Sequence, residues 1–330
     1  MKSVKPYAIT VGIGWVVLGI AAAVYAHIKS VPANIALPVA VAFLLEYPFY
    51  LLPGFPAARE RFISQGKPRA ALIFALSSVL PWLVFAVATD AFNFPALTVM
   101  LCIAILMNFW YIAFPVHTIV DLLYLAIVAA ILILKIFTKL YPSPMPKLDV
   151  SVLGHIMLVR VMAFSFVAIR GATGWDYRFW PKKREWIAGF QWFIVLLPAT
   201  GAVYWALGLW APRLVRGQPH PMNISLVIAT FFGVLWVISL SEEFIFRGLL
   251  QPWIEKWTSS SVVAIAVTAL LFGSVHLPFH FHGTFPNWRF AAVATMLGVF
   301  CGIARKKTGT IQAGMVAHAL TVALWKMFLQ

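Results

Sequence analysis

The sequence predicts an all-α fold: a polytopic transmembrane helical bundle of about ten or eleven spans. Three observations carry that reading. Of the 330 residues, 62% are hydrophobic and 11% are charged, against about 25% charged in soluble domains. Apolar runs of the length a bilayer requires, about 20 residues, recur from one end of the chain to the other. Polar and apolar residues do not alternate within those runs, which excludes a transmembrane β-barrel. The formal net charge of +15 is not read as a nucleic-acid footprint. The Lys and Arg residues sit in short loops between apolar runs, where they set topology and meet anionic lipid headgroups.

The predicted spans are 7–27, 35–53, 70–89, 93–113, 116–134, 151–169, 187–209, 223–255, 259–277, 288–304 and 310–329. The first is too long for the apolar region of a signal peptide and has no clear cleavage site, so it reads as a retained span. Pro38, Pro48, Pro81 and Pro115 lie in or beside these runs, where spanning helices accommodate them by local kinks. Basic loops follow the second span (Arg59, Arg61, Lys67, Arg69), the sixth (Arg170, Arg178, Lys182, Lys183, Arg184) and the tenth (Arg305, Lys306, Lys307). All three fall on the cytoplasmic side if the amino terminus does, and the membrane expected is the plasma (inner) membrane. The loop with Lys135, Lys139 and Lys147 falls outside and runs against the rule. A Pro-rich connector at 141–149 and the basic loop at 170–186 punctuate the chain. They suggest an amino-terminal module (1–149), a connecting part (150–222) and a carboxy-terminal helical core (223–330).

The chain has ten acidic residues. Glu60, Asp90, Asp149, Asp176 and Glu185 are expected in loops, and Glu255 at a helix end. Glu46 and Asp121 are singles in or near spans. Glu242 and Glu243 form the one acidic pair, inside the run Ser239-Leu-Ser-Glu-Glu-Phe-Ile-Phe-Arg-Gly-Leu-Leu250. A charge at membrane depth costs at least about 2.5–3.5 kcal/mol, so such residues face an interior or a cavity and mark function by default. Glu243 and Arg247 stand four residues apart with the glutamate first, the favourable order for a helical ion pair. Glu242 points about 100° away and is free to meet another group.

Two histidines supply candidates. Phe272 and His276 share a helix face, and Pro278 ends that helix. With a turn near Thr258, Glu242 lies about 24 Å and His276 about 27 Å from it, a similar depth on antiparallel helices. His318 lies in the last span with Gly314 one turn before it, which permits close packing. The same estimate leaves His318 one or two turns shallower, so a kink or tilt must bring it to Glu242. Glutamate and two histidines suit either of two chemistries. Glu242, His276 and His318 are ligand types for zinc, or Glu242 is a general base acting on water without a metal, with the histidines as oxyanion donors. Cys102 and Cys301 lie in apolar runs and indicate neither a disulfide framework nor a Cys-based metal site. Glu46, His117, and His155 with Arg160 read as hydrogen-bonded packing residues. His280 and His282 read as interfacial, or as lining an entrance.

Glu242-Glu243-x-x-x-Arg247, Phe272-x-x-x-His276 and a histidine in a late span resemble the CPBP intramembrane proteases. That family includes CAAX prenyl endoproteases and bacterial Abi proteins linked to bacteriocin processing and immunity. Gly248-Leu249-Leu250 after the arginine is similar too. The resemblance covers about 223–326. It implies a CPBP-type protease core in which the position of Glu242 activates water and His276 and His318 position it or stabilise the oxyanion. Glu243 and Arg247 are then supporting residues, as are Phe272 and Thr321, and the partner is a membrane-anchored substrate such as a prenylated CAAX-type peptide. Members have been viewed both as metalloproteases and as metal-free glutamate proteases. One position departs from the pattern: four residues after its last histidine the family carries Asn or a similar polar residue, and here stands Val322. That departure motivates a competing reading, a non-enzymatic immunity or maturation factor on the same scaffold. A proton-coupled transporter is a third, with no internal repeat to favour it.

Overall fold

The computed structural model describes residues 3–146, 148–171, 177–207, 224–278 and 286–328. Every regular element among them is a helix, as the composition requires. Each of the eleven predicted spans coincides with a helical segment. Among the described residues, eight helices are long and apolar enough to cross a membrane, while Thr118–Ile133 and Ser261–Ser274 are shorter apolar helices. The chain divides into two compact units, Met1–Gly174 and Trp175–Gln330. That division falls in the basic loop 170–186, so the stretch 150–222 is shared between the units.

The first unit contains α1 (Lys5–Ile28), α2 (Ala33–Leu51), α3 (Pro56–Ile63), α4 (Lys67–Ala88), α5 (Phe94–Ala113), α6 (Thr118–Ile133), α7 (Ile136–Leu140) and α8 (Val152–Phe164), which continues into a π-turn at Ser165–Ile169. Its two buried acids are neutralised by arginines carried on or just beyond α8. Arg160 pairs with Glu46 of α2, donates to the Ser77 hydroxyl at 3.0 Å, and lies against the rings of Phe49 and Phe74. Arg170 grips Asp121 with two hydrogen bonds of 2.8 and 2.6 Å, and the Tyr111 hydroxyl donates to the same carboxylate at 2.8 Å. Both acids are therefore paired, as buried charges in an apolar interior must be. His117 caps α6 by accepting from the Ile119 amide, and Nδ1 of His155 bonds the Ser151 carbonyl.

The second unit contains α9 (Lys183–Ala206), α10 (Ile224–Gly233), α11 (Leu240–Glu243), α12 (Gln251–Thr258), α13 (Ser261–Ser274), α14 (Trp288–Thr308) and α15 (Gln312–Phe328). Glu185 is not in a loop, as the sequence suggested, but in the first turn of α9. It is buried there, accepting from the Lys182 amide at 2.6 Å and from Arg178 at 2.7 Å. A carboxylate at a helix start satisfies an orphan amide and complements the dipole, so α9 begins four residues earlier than its hydrophobicity alone announces. The predicted turn near Thr258 is a left-handed Ser259, followed by Ser260 capping α13 through the Val263 amide.

Helices α13 and α14 approach closely because glycines line the contact. A Cβ on Gly298 would lie 3.0 Å from Ala269 Cα, and one on Gly302 would lie 3.1 Å from Ile265 Cγ2. Gly298 and Gly302 form the small-residue spacing that lets membrane helices meet. Gly273 is tighter still: an added Cβ would strike the Thr295 hydroxyl and stand 2.7 Å from the Ala291 carbonyl oxygen. Gly273→Ala is expected to destabilise the second unit by about 1–3 kcal/mol through overpacking. Gly233→Ala, which meets nothing within 4 Å, is expected to be neutral or to stabilise slightly. Thermal denaturation midpoints of the two variants in detergent check the contrast.

Candidate active site

The acidic pair sits on α11, a single α-turn between two π-turns, Val234–Ser239 and Phe244–Leu250. π-turns bond i to i+5 and are common at functional sites. They make the path from Val234 to Leu250 advance less per residue than an α-helix. The structure brings His318 to the glutamates, which a constant-rise estimate from the sequence left one or two turns apart.

Glu243 is fully buried. Its Oε1 accepts from Arg247 Nη1 at 3.2 Å and lies 3.0 Å from His318 Nδ1. Its Oε2 has no hydrogen-bond partner and points at Gly314, where a Cβ would come within 2.9 Å. Gly314 thus opens a space for the carboxylate one turn before His318. Glu242 differs in kind. Its side chain is 29% exposed, and its Oε2 lies 3.6 Å from His318 Nε2, too long for a hydrogen bond. His318 is 2% exposed and bridges the two acids, one ring nitrogen to each.

Arg247 is held on three sides. Besides Glu243, its Nη2 donates to the Gly298 carbonyl at 2.9 Å, and its guanidinium lies 4.6 Å from the Phe272 ring centroid. Gln251, one turn further on, repeats the motif by donating to the Gly302 carbonyl at 3.2 Å. Residues 243, 247 and 251 therefore form one polar stripe, two members of which read carbonyls of α14 that glycine leaves accessible. Phe272 is the hub of the aromatic side: its ring meets His276 at 4.8 Å, His318 at 5.7 Å and Phe246 at 5.1 Å between centroids. His276 bonds the Phe272 carbonyl through Nδ1 at 2.7 Å. A carbonyl only accepts, so Nδ1 carries the hydrogen and Nε2 is the acceptor of the neutral ring.

Glu242, Glu243, Arg247 and His318 are in direct contact, and His276 joins them through the Phe272 ring. Thr321 is half-buried and donates its hydroxyl to Ala317 of its own helix at 2.8 Å. His280 and His282 lie outside the described residues. Sequence reasoning missed Gln251, Gly298, Gly302 and above all Cys301. The Cys301 thiol donates weakly to the Gly314 carbonyl at 3.6 Å, and one ligand atom from each of Glu243, Cys301 and His318 lies within 4.8 Å of the others. The spacing Gly298-x-x-x-Gly302 around Cys301 is the signal that places this residue at a close helix contact.

Residues 222–324 match the family described as Type II CAAX prenyl endopeptidase Rce1-like. No curated protein matches the chain, and no solved structure does. Fold and match together define a class: an integral membrane protein of many apolar helices with a domain towards its carboxy-terminal end that is similar to Rce1-like CAAX prenyl endopeptidases. The domain is the one expected from the CPBP resemblance, and it coincides with the helices that carry Glu242, His276 and His318.

Proposed function

We propose that the chain is an intramembrane endopeptidase acting on a membrane-associated, prenylated CAAX-type substrate, with Glu242 as the base that activates water. The observation that carries this reading is the contrast between neighbouring carboxylates. Glu243 is locked between Arg247 and His318, while Glu242 keeps a buried oxygen without a partner, has a side chain that is 29% exposed, and faces a histidine nitrogen. A water held by Glu242 gives a proton to that carboxylate as its oxygen attacks the peptide carbonyl. Nδ1 of His276 is engaged with the Phe272 carbonyl and Nδ1 of His318 with Glu243, so either ring stabilises the oxyanion through Nε2–H only in its doubly protonated form. The tetrahedral intermediate then collapses, and the proton passes from Glu242 to the leaving amine. Zinc fits the donor set, since a buried Glu243 oxygen has no partner beside His318 and Cys301; when bound it would supply Lewis acidity at this cluster. Glu243, Arg247 and Phe272 hold the histidine and the acids in register. We place the amino terminus on the cytoplasmic side by the charge of the loops.

The test is cleavage in proteoliposomes. A peptide ending in a prenylated cysteine and three further residues should release its terminal tripeptide, read by mass spectrometry. Absence of cleavage of both prenylated and membrane-tethered unmodified peptides would sink the proposal. Val322 favours a second reading, a non-enzymatic maturation or immunity factor, in which the biological phenotype survives Glu242→Ala and His276→Ala. Thr321 does not replace the missing polar group on this view, because its hydroxyl is engaged with Ala317. Thr321→Val is therefore expected to leave the cleavage rate within about threefold, an effect of under about 1 kcal/mol on the barrier.

A further inference from the structure

We infer that Glu243, Cys301 and His318 form a zinc-type metal site with a thiolate ligand, distinct from a Glu242, His276 and His318 set. The inference concerns metal binding and holds whether or not the chain cleaves peptides. Three observations meet at one place. One donor atom from each of the three residues falls within 4.8 Å of the others, and all three residues are buried. Glu243 Oε2 is buried and without a hydrogen-bond partner, although Oε1 of the same carboxylate serves both Arg247 and His318. That free oxygen faces the space left by Gly314, and Cys301 borders the same space: the Gly314 Cβ position lies 2.9 Å from Oε2 and 3.5 Å from Cys301 Cβ. An unsatisfied carboxylate oxygen, a thiol and an imidazole around one open point are the donor set of a catalytic-type zinc centre, three protein ligands with a fourth position left for water.

Charge supports the same assignment. Glu242 and Glu243 together outnumber Arg247 by one negative charge. A divalent cation, with the Cys301 thiol giving up its proton to solvent on binding, brings the group to neutrality: three negative charges, one guanidinium and two positive charges on the metal. Glu243 keeps Arg247 on Oε1 while Oε2 takes the metal. The nitrogen of His318 on the Glu243 side is Nδ1, so ligation there leaves the ring hydrogen on Nε2, directed at Glu242 3.6 Å away. Without metal, the hydrogen bond to Glu243 puts the hydrogen on Nδ1 instead. Metal occupancy thus decides whether Nε2 of His318 carries a hydrogen towards Glu242 or presents a lone pair to it.

The experiment is a cobalt(II) titration of the purified full-length chain in detergent, followed by absorbance. The expected result is a thiolate-to-cobalt charge-transfer band that saturates near one equivalent and is reversed by zinc. Cys301→Ser should abolish the band, whereas Cys102→Ser and Glu242→Gln should keep it. No thiolate band in the unsubstituted chain overturns the inference, and this arm does not depend on any variant folding. A band that survives Cys301→Ser, or that vanishes with Glu242→Gln in a protein of unchanged elution volume, overturns it as well. A normal band in a chain that cleaves nothing leaves the metal site standing and removes the protease reading. Cleavage by a chain that shows no band does the reverse.

Discussion

Glu242→Gln is expected to lower the cleavage rate by at least about 10²–10⁴-fold, the range in which positioned general bases contribute. The substitution keeps the shape of the side chain and removes only its capacity to take a proton. It should cost little stability, because Glu242 is partly exposed and stands 3.6 Å from His318, beyond hydrogen-bond distance. Loss of rate in a protein that elutes and melts like the parent would assign the effect to chemistry. The control is the adjacent carboxylate. Glu243→Gln changes the group that holds Arg247 and His318, so it should depress both the melting midpoint and the rate. Glu242→Gln with full activity would remove this residue from the mechanism, and with it the distinction between the two acids on which the proposal stands.

That distinction was legible in the sequence for a physical reason. A carboxylate pair among ten acids in a lipid-soluble chain is costly, and the spacing to Arg247 tells which member is neutralised. The apolar runs announced the spans for the same reason, since bilayer thickness fixes their length. What could not be read was geometry set by hydrogen-bond register. The π-turns on either side of α11 arise from a local shift to i→i+5 bonding and have no composition of their own, and a constant-rise estimate does not place His318 beside the glutamates. Cys301 looked like one more small apolar residue because its partners come from α11 and α15. Only the approach permitted by Gly298, Gly302 and Gly314 brings a thiol beside a glutamate. Glu185 was likewise read as a loop acid because capping depends on backbone direction, which hydrophobicity does not encode.

The largest stability effect should come from Arg247→Met, expected at about 3–5 kcal/mol, the cost of leaving one member of a buried ion pair without its partner. The methionine fills most of the volume, so the loss is electrostatic rather than a cavity. Three contacts go together: the pair with Glu243, the hydrogen bond to the Gly298 carbonyl, and the guanidinium against the Phe272 ring. Arg247→Lys should be intermediate, because an ammonium can serve Glu243 but cannot reproduce the fork that also reaches Gly298. The decisive comparison is the double variant Glu243→Gln with Arg247→Met. If the cost is that of an orphaned carboxylate, the double variant melts above Arg247→Met alone, because the charge has gone. A double variant that melts below the single would mean that Glu243 stabilises the fold independently of Arg247, with His318 as its main partner. An Arg247→Met protein that melts with the parent would show that the carboxylate reaches another source of positive charge, and the neutralising role given to Arg247 would have to be withdrawn.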